Sequence, residues 1–135
     1  MAQAGSGSSR PLSPHLQIYR PMLTMMMSIA HRITGAGLYF GLLLVVWWLV
    51  AAATGPEYSD FVSELAGSFV GRLVLFCYTW ALIHHMLGGV RHFVWDTDRG
   101  FDLETVELMA RASLIGAFGL TVAVWALGYI IMGKL

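Results

Sequence analysis

The residues able to do chemistry in this 135-residue chain are few, and they sit where they cost most. His31, Arg32, His84, His85, Arg91 and His92 lie inside or beside long apolar runs. Ionisable side chains are expensive in hydrocarbon, so those retained there are candidates for ligand, proton or ion chemistry. Neutral imidazole binds haem iron. A guanidinium stabilises negative charge that develops on a bound substrate. The sequence carries no nucleophile–base pair, phosphate-binding loop or dinucleotide fingerprint.

Helical spacing sorts these residues. At 100° per residue, Ala81, His85, Gly88, Gly89 and His92 share one stripe. Small residues one turn from an imidazole admit something large and flat, such as a porphyrin, against the backbone. Arg91 and His92 fall roughly 9–10 Å further along the axis than His85, where haem propionates would emerge toward water. His84 is turned about 100° from His85, so the two do not easily face one iron. The same stripe equally suits helix packing, with glycines admitting a neighbour and histidine bonding across the interface. One ligand is evident on this face; a second imidazole would come from His31, His84 or another chain. Upstream, Ser28, His31, Arg32 and Gly35 recur at i, i+3, i+4 and i+7. Ser28 and Arg32 offer a hydroxyl and a cation suited to the carbonyl oxygens of a quinone. Alternatively, Arg32 snorkels as a membrane anchor.

The elements that must hold these residues follow from composition. The chain is 57% hydrophobic and only 12% charged, with eight Lys/Arg balancing eight Asp/Glu. Soluble domains carry about twice that charge, so the expected class is an all-α membrane protein in a lipid bilayer. Zero net charge gives no electrostatic basis for binding nucleic acid. Hydropathy resolves three transmembrane helices, with charge-free centres at Ile33–Ala53, Leu73–Val90 and Ala112–Gly133. Residues 1–21, with Pro11, Pro14 and Pro21, form an extended N-terminal segment. Residues 22–135 form one transmembrane domain, with spans at approximately 22–53, 69–95 and 111–133. Met1–Ser9 lacks the character of a signal or transit peptide.

Six of the eight cations, Arg10, Arg20, Arg32, Arg91, Arg99 and Arg111, flank one membrane side; Arg72 and Lys134 flank the other. That asymmetry puts the N-terminus in the cytoplasm, or in the matrix if the protein is mitochondrial. Cys77 is the sole cysteine, so this chain has no all-cysteine iron–sulfur site; if it handles electrons, a haem, flavin or quinone must carry them, or a partner must.

Two motifs in order then match something known. Arg10-Pro11-Leu12-Ser13-Pro14-His15-Leu16, followed by Ser28-Ile29-Ala30-His31-Arg32-Ile33-Thr34-Gly35, closely resembles the cytochrome b large membrane-anchor family of succinate dehydrogenase. His85-Met86-Leu87-Gly88-Gly89-Val90-Arg91-His92, with Asp96 beyond, resembles that family's haem-ligand segment. The likeness covers nearly the whole chain. It implies a haem-binding helical bundle built with a small membrane-anchor subunit. His85 would be one axial ligand of a b-type haem iron, the small anchor supplying the other. His31 and His92, with Arg91, would sit near the haem propionates, and Ser28 and Arg32 would line the ubiquinone site. His84 matches no ligand position of the family. The complex oxidises succinate on a flavoprotein subunit and passes electrons through an iron–sulfur subunit to ubiquinone, joining the tricarboxylic acid cycle to respiration. This chain's expected part is to hold haem and quinone in the membrane. The Ser-Pro-His form resembles alphaproteobacterial and mitochondrial members, and the short N-terminus favours the bacterial inner membrane over the mitochondrial one. The competing readings are a structural anchor, or a proton-pathway subunit without haem.

Overall fold

A computed structural model describes residues 19–133. The Arg10–Leu16 motif and most of the expected extended segment therefore lie outside the described residues. Four helices follow in order: α1 (Leu23–Thr54), α2 (Pro56–Gly67), α3 (Phe69–Trp95) and α4 (Leu103–Ile131). At 1.5 Å per residue α1, α3 and α4 each reach about 40–48 Å, more than the hydrocarbon core of a bilayer. Their exposed side chains are mainly apolar, among them Tyr39, Phe40, Leu43, Phe93, Phe118 and Ile131. That is the pattern expected of helices solvated by lipid. The protein is an integral membrane helical bundle.

Local chemistry explains where the helices stop. Gly55 has φ +146°, a value that favours glycine, and Pro56 opens α2 at a position needing no backbone donor. The chain thus breaks and restarts between Thr54 and Pro56. Ser68 caps α3, its hydroxyl accepting from Gly71 N–H at 3.0 Å. Asp102 caps α4 in the same way, accepting from Thr105 N–H at 2.8 Å. The last helix starts at Leu103, ahead of the span expected from residue 111, because this cap and the polar turn after it extend the helix beyond its apolar centre.

Sequence reading left α2 unassigned within the first connection. It packs on both α1 and α3, buries Val62, and turns Glu57, Asp60 and Glu64 to the opposite face. Trp47 Nε1–H donates to the Tyr58 hydroxyl at 2.7 Å, tying α2 to the end of α1.

Two seams hold the long helices. Between α1 and α3, aromatic rings enter glycine notches: the Tyr78 ring lies where a side chain at Gly41 would be. Between α3 and α4, Trp125 meets Phe76 edge-on at 5.5 Å and its N–H donates to Thr79 Oγ1 at 3.3 Å. The buried stripe of α4 is Ala110, Ser113, Ala117 and Thr121, all small. With little hydrophobic drive between helices in lipid, close approach over small residues is the main source of cohesion.

Hydrogen bonding by Thr105 holds the Asp102 carboxyl below the usual carboxylate range. A depressed folded value means the cap contributes fully above the ordinary pKa and fades as pH falls through the folded value. Asp102→Ala should therefore speed amide exchange in the first turn of α4 at neutral pH, while Asp102→Asn should largely preserve protection. Exchange mass spectrometry at pH 7 checks both.

Candidate functional site

α1 and α3 run antiparallel, so the start of α1 meets the end of α3. His31 and His85 face each other there. Their rings stack with centroids 3.9 Å apart and planes inclined by 10°. Each ring also reaches the other helix's backbone: His85 Nδ1 is 3.1 Å from the His31 carbonyl oxygen, and His31 Nε2 is 3.3 Å from that of His85. A carbonyl oxygen only accepts, so each of these nitrogens is the protonated donor. In a neutral imidazole this leaves the lone pair on Nε2 of His85 and on Nδ1 of His31.

Glycines make the exchange possible. A methyl group at Gly35 would stand 2.8 Å from His85 Cε1, and one at Gly88 would overlap the His31 ring. The expectation that Gly88 leaves room for a flat cofactor is thus corrected: His31 occupies that notch. Gly89 differs, because a side chain there would meet nothing within 4 Å. His92 joins the cluster from one turn below, its ring 5.7 Å from His31 and 5.2 Å edge-on from Trp95.

The remaining residues divide between two other faces. Ser28 and Arg32 are exposed on α1, away from the ring of His31, although the four-residue spacing had grouped them together. His84 and Arg91, seven residues apart, are both buried; His84 is only 1% exposed. Among the described residues, neither ring nitrogen of His84 nor Nε of Arg91 has a hydrogen-bond partner. The His84 ring stacks on Trp80 at 5.1 Å, and the Arg91 guanidinium lies 6.0 Å over the Trp95 ring. The structure therefore brings His31, His85 and His92 together, while Arg91 is buried on the same side of α3 as His84.

Thr34 had not been singled out. It is buried, with Oγ1 2.9 Å from the Ala30 carbonyl and 3.0 Å from that of His31. Its hydroxyl thus shares the carbonyl that receives His85. The signal available was its adjacency to Gly35, one turn from His31.

Comparison with known proteins identifies the family. Residues 6–127 match the family model described as succinate dehydrogenase/fumarate reductase transmembrane subunit. The chain belongs to this family. It is 40% identical over 122 residues to the succinate dehydrogenase cytochrome b556 subunit of Paracoccus denitrificans, covering 90% of this chain and 93% of that one. The cytochrome b556 subunit of Rickettsia conorii is 33% identical over 118 residues, covering 87% of this chain and 92% of its own. The human mitochondrial cytochrome b560 subunit is 36% identical over 99 residues, or 72% of this chain and 59% of that protein. As a succinate dehydrogenase membrane subunit, the chain is part of an oxidoreductase complex.

The glycine notches can be tested by stability. Gly88→Ala should destabilise the subunit by about 1–3 kcal/mol, because the His31 ring must move. Gly119→Ala, where a side chain meets open space, should be neutral. Thermal unfolding of the solubilised chain distinguishes the two.

Proposed function

We propose that this succinate dehydrogenase subunit binds a b-type haem through His85 and forms part of the ubiquinone-reduction site through Ser28 and Arg32. The observation that carries the reading is the bond from His85 Nδ1 to the His31 carbonyl. Iron-ligating histidines commonly donate their other ring N–H to a carbonyl, which fixes the tautomer and orients the ring. Here that bond leaves Nε2 of His85 with its lone pair, 3.7 Å from where a side chain at Gly35 would stand. The donor set fits an axial imidazole. His84 fits less well, since its ring is enclosed among the chain's own helices. The cytochrome b names of the Paracoccus and Rickettsia relatives agree with a haem.

Bound at His85, the haem would supply a site for one electron at a time. What this chain contributes is holding and orientation. His31 fixes the His85 ring by stacking and by its carbonyl. Arg91 and His92 would offer N–H groups to propionates, in the vicinity of His31, whose own N–H is held by the His85 carbonyl. The second axial ligand would come from a small membrane-anchor subunit.

Ser28 and Arg32 supply a hydroxyl and a permanent cation on the exposed face of α1. Donated to a quinone carbonyl, they stabilise negative charge as the ring is reduced. Electrons would reach that site from flavoprotein and iron–sulfur subunits docked on the same side. The six-to-two distribution of cations supports a cytoplasmic N-terminus in a bacterial inner membrane. The packing of His31 on His85 also supports a purely structural role for both histidines, and a spectrum separates the two readings.

A reduced-minus-oxidised visible spectrum of the purified complex should contain b-type bands, lost or strongly shifted in His85→Ala and kept in His84→Ala. Absence of the bands in the unaltered complex would remove the haem from the reading. Arg32→Ala should lower succinate–quinone activity by at least about tenfold while leaving succinate oxidation with an artificial acceptor intact. Equal loss of both activities would mean failed assembly and no quinone role for Arg32.

A further inference from the structure

The two bonds that join His31 and His85 are not equivalent. The His85 carbonyl takes the His31 ring nitrogen and, among the described residues, no other side chain. The His31 carbonyl takes His85 Nδ1–H at 3.1 Å and also lies 3.0 Å from the Thr34 hydroxyl. As a carbonyl inside α1 it further receives the amide four residues on, that of Gly35. A carbonyl oxygen has two lone pairs. With one directed along the helix, the imidazole and the hydroxyl share what is left.

Thr34 is only 7% exposed, so bulk solvent does not enter this competition. Its hydroxyl carries one proton and has a second acceptor, the Ala30 carbonyl at 2.9 Å. His85 has no such choice. Its ring is stacked on His31 at 3.9 Å and seated against Gly35, with Nδ1 facing one carbonyl. Whenever the Thr34 proton turns to that carbonyl, the positive ends of two donors repel at one oxygen. The bond from His85 is then weaker than it would be alone.

We propose that Thr34 is a positioning residue for the haem ligand, setting through the His31 carbonyl how much electron density His85 offers to iron. The inference rests on His85 being an axial ligand. An imidazole whose far N–H is held by a strong acceptor is a more basic ligand, and a more basic ligand favours ferric over ferrous iron. Hydrogen bonding around the axial ligand is one of the levers that set haem potential. By drawing on the same carbonyl, the Thr34 hydroxyl moderates that lever and keeps the haem easier to reduce. Its influence passes through a backbone oxygen, which is why residue type and spacing alone did not mark it.

The test is a redox titration of the whole purified complex, followed at the b-type bands. Thr34→Val keeps the branched shape, removes the hydroxyl and leaves each helix carbonyl its own amide. The reduction equilibrium of the haem should fall about fivefold, the effect of roughly one neutral hydrogen bond, which at ~59 mV per tenfold is about 40 mV. Thr34→Ala should give the same fall with less bulk at the site, and Thr34→Ser should restore the original potential. Thr54→Val removes a hydroxyl bonded to a helix carbonyl at the other end of α1, and should leave the potential unmoved. Succinate oxidation with an artificial acceptor should persist in each variant, showing that the complex assembles. An unmoved or raised potential in Thr34→Val or Thr34→Ala, a fall that persists in Thr34→Ser, or an equal fall in Thr54→Val would overturn the proposal with His85 still the ligand. Bands kept in His85→Ala would instead remove the ligand reading, and this inference with it.

Discussion

The exchange between His31 and His85, each ring donating to the other's carbonyl across a glycine notch, is the contact on which the rest of the bundle turns. An imidazole in lipid must satisfy its polar atoms within the protein, and the backbone carbonyl of an antiparallel neighbour is the nearest acceptor. Reaching it requires the two helices to approach closely, which Gly35 and Gly88 permit. The same approach fixes the register of α1 on α3, so Gly41 meets Tyr78 further up the seam. Interhelical hydrogen bonds of this kind contribute only about 0.6 kcal/mol each. Their larger effect is directional: two reciprocal bonds and a stacked pair of rings allow one rotational setting of the helices.

That setting decides which side chains face outward. With His85 turned to α1, its neighbour His84 and the residue two turns on, Arg91, face the interior. Ser28 and Arg32 are left on the free surface of α1, available to another chain or a ligand. A single seam therefore sorts seven ionisable or polar residues into an enclosed set, a packed set and an exposed set. The sorting agrees with a subunit whose redox surface is completed by partners.

Much of this was legible in the sequence, for reasons that differ by residue. The three long helices declare themselves because about 20 apolar residues have no other stable arrangement. α2 did not, because twelve residues with three acids resemble a loop unless the end of a bundle is there to cover Val62. Histidine and glycine spacing put His85 and Gly88 on one stripe of α3, yet could not say what fills a glycine notch. At Gly88 the occupant is an imidazole from the same chain. Ser28, His31, Arg32 and Gly35 were read as one face, but they span an arc wide enough for the neighbouring helix to take His31 and Gly35 and leave the other two outside. The shared burial of Arg91 and His84, two turns apart on α3, follows from the same periodicity, although adjacency to His92 suggested otherwise.

The glycine-notch seam has a consequence for biogenesis. Every group in it belongs to one polypeptide, so both acceptors of the histidine pair are supplied by the chain itself. α1 must wait for α3 before its imidazole has an acceptor. A subunit made this way presents a pre-set template to whatever assembles on it.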